Sequence, residues 1–68
     1  MSAYVASGEE TTMICSYDKR PGKALKKAAK LIDKICSKDE YANLVALNVY
    51  SDDENVYNVT AIISTMRH

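Results

Sequence analysis

Between Pro21 and Lys38 the apolar and polar positions follow a helical period. At about 100° per residue, Ala24, Leu25, Ala28, Ala29, Leu31, Ile32, Ile35 and Cys36 fall on one arc. Lys23, Lys26, Lys27, Lys30, Lys34 and Lys38 fall on the opposite one. The pattern predicts an amphipathic helix over residues 21 to 38. Pro21 suits its first turn, where a missing N–H costs no intrahelical bond, and Lys34 and Lys38 suit the negative C-terminal end of the helix dipole.

Downstream the period shortens to two. NLVALNVY (43–50) and NVYNVTAIIST (55–65) are rich in β-branched and aromatic residues and flank the polar Ser51-Asp52-Asp53-Glu54, which predicts a hairpin. Val45, Leu47 and Val49, with Tyr57, Val59, Ala61 and Ile63, form the side expected to meet the helix. The other side carries Leu44, Ala46, Asn48 and Tyr50 with Val56, Asn58, Thr60 and Ile62. It is too apolar for an ordinary solvent face and too polar for a core. Upstream, TTMICSY (11–17) reads as a further strand, with Met13, Cys15 and Tyr17 as its candidate inward set. SAYVAS either pairs with it across Gly8-Glu9-Glu10 or is a tail, so residues 1–10 are a flexible segment or an extra edge strand.

These elements predict an α+β fold in a single domain spanning 1–68, a small antiparallel sheet of three or four strands with one helix on one face. The core order is β-α-β-β, or ββαββ if the first segment adds a strand. The helix returns the chain so that the strands before and after it run parallel, by a right-handed crossover, with the last strand between them. No repeat, linker or low-complexity segment interrupts the chain.

Length then narrows the function classes. A domain of 68 residues buries only about 60% of the surface of its unfolded chain, so added support is expected. Two cysteines, Cys15 and Cys36, are too few for a disulfide framework and form no Cys-x-x-Cys pair, so both are expected as small buried hydrophobes. Self-association remains the expected support. The N-terminus lacks a basic, apolar leader and no segment approaches the ~20 apolar residues of a spanning helix, so a cytoplasmic protein with no membrane partner is expected.

Catalytic chemistry has few candidates. His68 is the sole histidine and ends the chain, where positioning for proton transfer is poor. Asp52, Asp53 and Glu54 lack a cation-loop spacing and read as a solvated turn. No enzyme activity, metal or cofactor is expected.

Charge is the feature that singles out a surface. The chain is neutral, yet residues 19–38 hold eight basic residues and one acid, Asp33, while the rest holds eight acids and Arg67. Arg20, Lys23, Lys26, Lys27, Lys30 and Lys34 are therefore the candidate anion-binding set, at a Pro-Gly helix entrance where free N–H groups favour phosphate. The competing reading is the wet side of a helix, because the set has no interleaved aromatic residue for stacking. The half-apolar sheet face offers the other candidate, a partner or self-association surface of Leu44, Ala46, Tyr50, Val56, Asn58 and Ile62.

Two partial resemblances accompany these readings. KALKKAAK resembles the basic helix of double-stranded RNA-binding domains, although that family's order is helix, three strands, helix. The β-α-β-β order and VYNVTAIIS are similar to dodecins, which implies a small oligomeric ligand-binding shell; the family stacks flavin on a tryptophan, and this chain has none. The principal expectation is a non-enzymatic, self-associating module that acts as a regulator or inhibitor through protein contact. Nucleic-acid or nucleotide binding by the helix, and a dodecin-like oligomer, are the alternatives.

Overall fold

A computed structural model describes residues 3–51 and 55–65. The element order is β1 (Ala3–Ser7), β2 (Thr11–Asp18), α1 (Pro21–Lys38), β3 (Asn43–Ser51) and β4 (Tyr57–Ser64). The strands form one sheet in the order β1-β2-β4-β3 with every neighbouring pair antiparallel. β2 and β3 therefore run parallel with β4 between them, and Ala3–Ser7 contributes an edge strand, so the ββαββ form of the expectation is the one observed.

The helix begins and ends by local hydrogen bonding. The Asp18 carboxylate accepts the Arg20 N–H at 3.0 Å and the Lys27 ammonium at 2.7 Å, which fastens the end of β2 to the first turns of α1. Pro21 occupies the start of the helix and Lys38 its last turn. Beyond it, the Asp39 N–H donates to the Ile35 carbonyl and the Tyr41 N–H to the Asp39 side chain, turning the chain into β3.

α1 lies over β2 and β4 and touches β3 least. The core beneath it consists of Ile14, Ala24, Ala28, Val59, Ala61 and Ile63, with Leu31, Ile32, Ile35, Cys36 and Tyr57 packed around them. Ala24 and Ala28 matter because they are small: with no side chain beyond Cβ, the helix approaches the sheet closely enough for the Ser16 hydroxyl to donate to the Ala24 carbonyl at 2.7 Å.

That bond explains one correction. Met13, Cys15 and Tyr17 do not point inward; Thr12, Ile14 and Ser16 do, and all three are buried. Hydrophobicity alone favours the first set. The structure buries two hydroxyl-bearing residues instead, and among the described residues no buried side-chain polar atom lacks a partner. Cys15 and Cys36 are half-buried free thiols rather than fully buried ones.

A second correction concerns β3. A bulge between Leu44 and Ala46 shifts the register, so Leu44 pairs with Ile63 while Ala46 pairs with Ile62. The inserted residue moves Leu44 to the helix side and leaves Val45 as the bulge. Leu47 and Val49 share the helix side as expected, opposite Ala61 and Val59. They are only half-covered there, being 48% and 45% exposed, because α1 lies over β2 and β4 and touches β3 least.

Candidate functional site

The side of the sheet away from α1 has no covering element among the described residues. Strand pairing sets Tyr17, Asn58 and Tyr50 in one row across it, then Tyr4, Cys15, Thr60 and Asn48, then Ala6, Met13, Ile62 and Ala46. None of these side chains is charged, in a chain of which 26% is charged. Tyr4, Met13, Tyr17 and Tyr50 are all exposed, Tyr4 and Tyr50 by more than half.

The tyrosines gather at one end of this face. Tyr4, Tyr17, Tyr50, Cys15, Asn58 and Thr60 line a concavity of about 240 Å3. The Cys15 side chain, hydrogen-bonded to the Tyr4 phenol, holds its pKa above the ordinary tyrosine value, and Tyr50 and Tyr17 add to the effect. The cluster thus offers aromatic surface and hydroxyl groups.

Of the sheet residues expected at a partner surface, Ala46, Tyr50, Asn58 and Ile62 stand together on this face. Leu44 leaves the set through the bulge. Val56 precedes β4, where its carbonyl accepts a 3.4 Å bond from the Asn58 amide, and Asn55 before it adopts a left-handed backbone with φ 61. That turn starts β4 at Tyr57, so Val56 holds no position in the strand rows. Tyr4, Met13 and Tyr17 belong to the face and were not expected there. Their alternation is visible in the sequence; the side to which they turn depends on the burial of Ser16.

The basic set lies on the other side of the molecule. Arg20, Lys23, Lys26, Lys30 and Lys34 are exposed, and Lys27 is tied to Asp18. The Lys27 ammonium and then the Arg20 N–H hold the Asp18 carboxyl below its ordinary pKa. Lys34 and Lys38 lean over β1 and β2, where they border a groove with Val5, Ser7, Thr12, Leu31 and Ile35. The lysines are thus separated by the sheet from Tyr4, Tyr17 and Tyr50, whereas Tyr41 stands near Lys38 and Tyr57 packs beneath the helix.

Asp52, Asp53, Glu54 and His68 lie outside the described residues. Within the described residues, no helix is long and apolar enough to cross a membrane and no cluster of acidic, histidine or cysteine side chains could hold a metal ion. No family model, curated protein or solved structure matches the chain.

Proposed function

We propose that this protein is a small non-enzymatic binding module that self-associates and occupies a protein partner with the uncovered face of its sheet, as regulators and inhibitors do. The observation that carries the reading is the absence of charge across rows that expose Tyr4, Met13, Tyr17 and Tyr50. Interface cores are depleted of charge and enriched in tyrosine and methionine. Phosphate binding asks for the opposite composition, and the lysines supply it only on the far side, where Lys27 is already paired. We place the protein in the cytoplasm, where its two free thiols suit a reducing environment.

The test uses immobilised protein and an extract of its own cells. The wild type should retain a polypeptide that is lost with Met13→Asp and Tyr17→Asp together and kept with Lys26→Glu and Lys30→Glu together. All four positions are exposed, so each variant should fold. Retention of nucleic acid that only the lysine variant abolishes would overturn the reading in favour of the helix.

A further inference from the structure

We infer that two copies of this chain join edge to edge through β3, forming one continuous antiparallel sheet with both helices on the same side. This seam rests on the self-association proposed above and gives it a surface distinct from the tyrosine face. β3 is a nine-residue strand at the end of the sheet, and among the described residues no strand pairs with its outer edge. Proteins guard such edges with charge, proline or short length, because the free N–H and C=O row is a template for another strand. NLVALNVYS has no charge and no proline. Its bulge lies near the first end and leaves Ala46–Ser51 in regular register. The opposite edge is better guarded: β1 has five residues, and Lys34 and Lys38 stand beside its Val5 and Ser7.

The helix reinforces the difference. Lys27 bonds to Asp18 of β2, and Leu31, Lys34 and Lys38 border β1. That basic flank of α1 therefore looks toward β1, and the flank with Leu25, Ala29, Ile32 and Cys36, which carries no lysine on the helical wheel, looks toward β3. Leu47 and Val49 stay half-exposed beside it, so among the described residues β3 has an unpaired outer edge and only partial cover on its helix side.

The strand's own pattern selects a second copy as the occupant. A two-fold axis perpendicular to the sheet pairs identical strands antiparallel and keeps each face continuous. Centred on Asn48, it sets Leu47 of each copy against Val49 of the other on the helix side, and Ala46 against Tyr50 on the outer side. Both of these crossings are apolar on apolar, the central asparagine amides complement each other, and Ser51 of each copy falls opposite the bulge residue Val45 at the ends of the seam. The helices stand about 19 Å apart, four strand spacings, so no lysine is trapped at the seam.

Sedimentation equilibrium on the full chain tests the seam. The wild type should weigh twice the 7.5 kDa chain, with a mass that falls on dilution. Leu47→Lys with Val49→Lys places like charges opposite each other twice and should weaken association by about tenfold or more. Leu47→Lys with Val49→Glu places opposite charges at the same crossings and should restore it at low salt. Met13→Asp with Tyr17→Asp should leave the mass unchanged. Circular dichroism checks that each variant folds. A wild type that stays monomeric at millimolar concentration would overturn both self-association and the seam. A dimer insensitive to both β3 double variants would overturn the seam alone, and loss of association in both would overturn the Asn48-centred register.

Discussion

Ile62 and Ile63 are the same residue at adjacent positions of β4, turned to opposite sides of the sheet, and truncating each in turn reads which side is the core. Ile63 is fully buried under α1, whereas Ile62 is only half-buried on the tyrosine face. The buried core is small: apart from alanines, among the described residues it contains only Ile14, Val59 and Ile63. Burying an isoleucine contributes about 1.5–3 kcal/mol, and the cavity left by truncation adds to the loss, so Ile63→Ala should cost roughly 3–4 kcal/mol. At about 0.05–0.15 kcal/mol per residue, the whole chain holds roughly 3–10 kcal/mol. Ile63→Ala therefore removes a third or more of the stability, and at the low end of that range unfolds the protein. Ile62→Ala, which gives up a side chain already half in water, should cost roughly 1 kcal/mol. In thermal terms these are drops of about 12–30 °C and 4–8 °C in Tm. Urea unfolding followed by circular dichroism, at a dilution that keeps the chain monomeric and with m unchanged between variants, measures both. Costs within about 0.5 kcal/mol of each other would refute the assignment of faces and require the tyrosine side to be covered as well.

The helix phase has a similar paired test. Ile32 packs against the core and Lys30 faces water, so Ile32→Asp should cost more than ~2 kcal/mol and Lys30→Asp less than ~0.5; matching melting curves would remove the phase. Acid should loosen the β2–α1 junction. Because the Asp18 pKa is lowered in the fold, its contribution is complete above the ordinary value of about 3.9 and is lost as the pH falls below it. Asp18→Asn should then flatten the acid limb of a Tm-against-pH curve, and an unchanged limb would contradict the junction. For the lysine stripe, five duplex phosphate contacts would give log K against log salt a slope of about −4.5, so any binding in dilute buffer should vanish near physiological ionic strength. Submicromolar affinity for duplex or single-stranded DNA or RNA that survives that salt would make the helix the functional site.

How much of this was legible beforehand differs by element, for a physical reason. The helix over Pro21–Lys38 was written in its period, because eight apolar and six lysine side chains segregate on a wheel whatever the sheet does. The hairpin of β3 and β4, the parallel run of β2 and β3 and the α+β class also follow from local pattern and chain direction. Which side of β2 turns inward did not follow. Met13, Cys15 and Tyr17 outweigh Thr12, Ile14 and Ser16 in hydrophobicity, and only the approach of α1, with Ala24 and Ala28 at its contact, supplies the carbonyl that satisfies Ser16. The bulge that moves Leu44 across the sheet is likewise a property of the pairing with β4, since one extra residue in one strand leaves the hydropathy of that strand unchanged. The charge-free cluster of tyrosines is a tertiary fact for the same reason. Its members come from β1, β2 and β3, and only a sheet order that sets β4 between β2 and β3 brings Tyr17 and Tyr50 to either side of Asn58. Sequence alone determined the elements and their amphipathic faces, because those depend on residues within a few positions of one another. Tertiary structure decided which faces were left for other molecules, because one helix is wide enough to cover two strands of a four-stranded sheet and, among the described residues, leaves β3 only partly covered and the reverse side without a covering element.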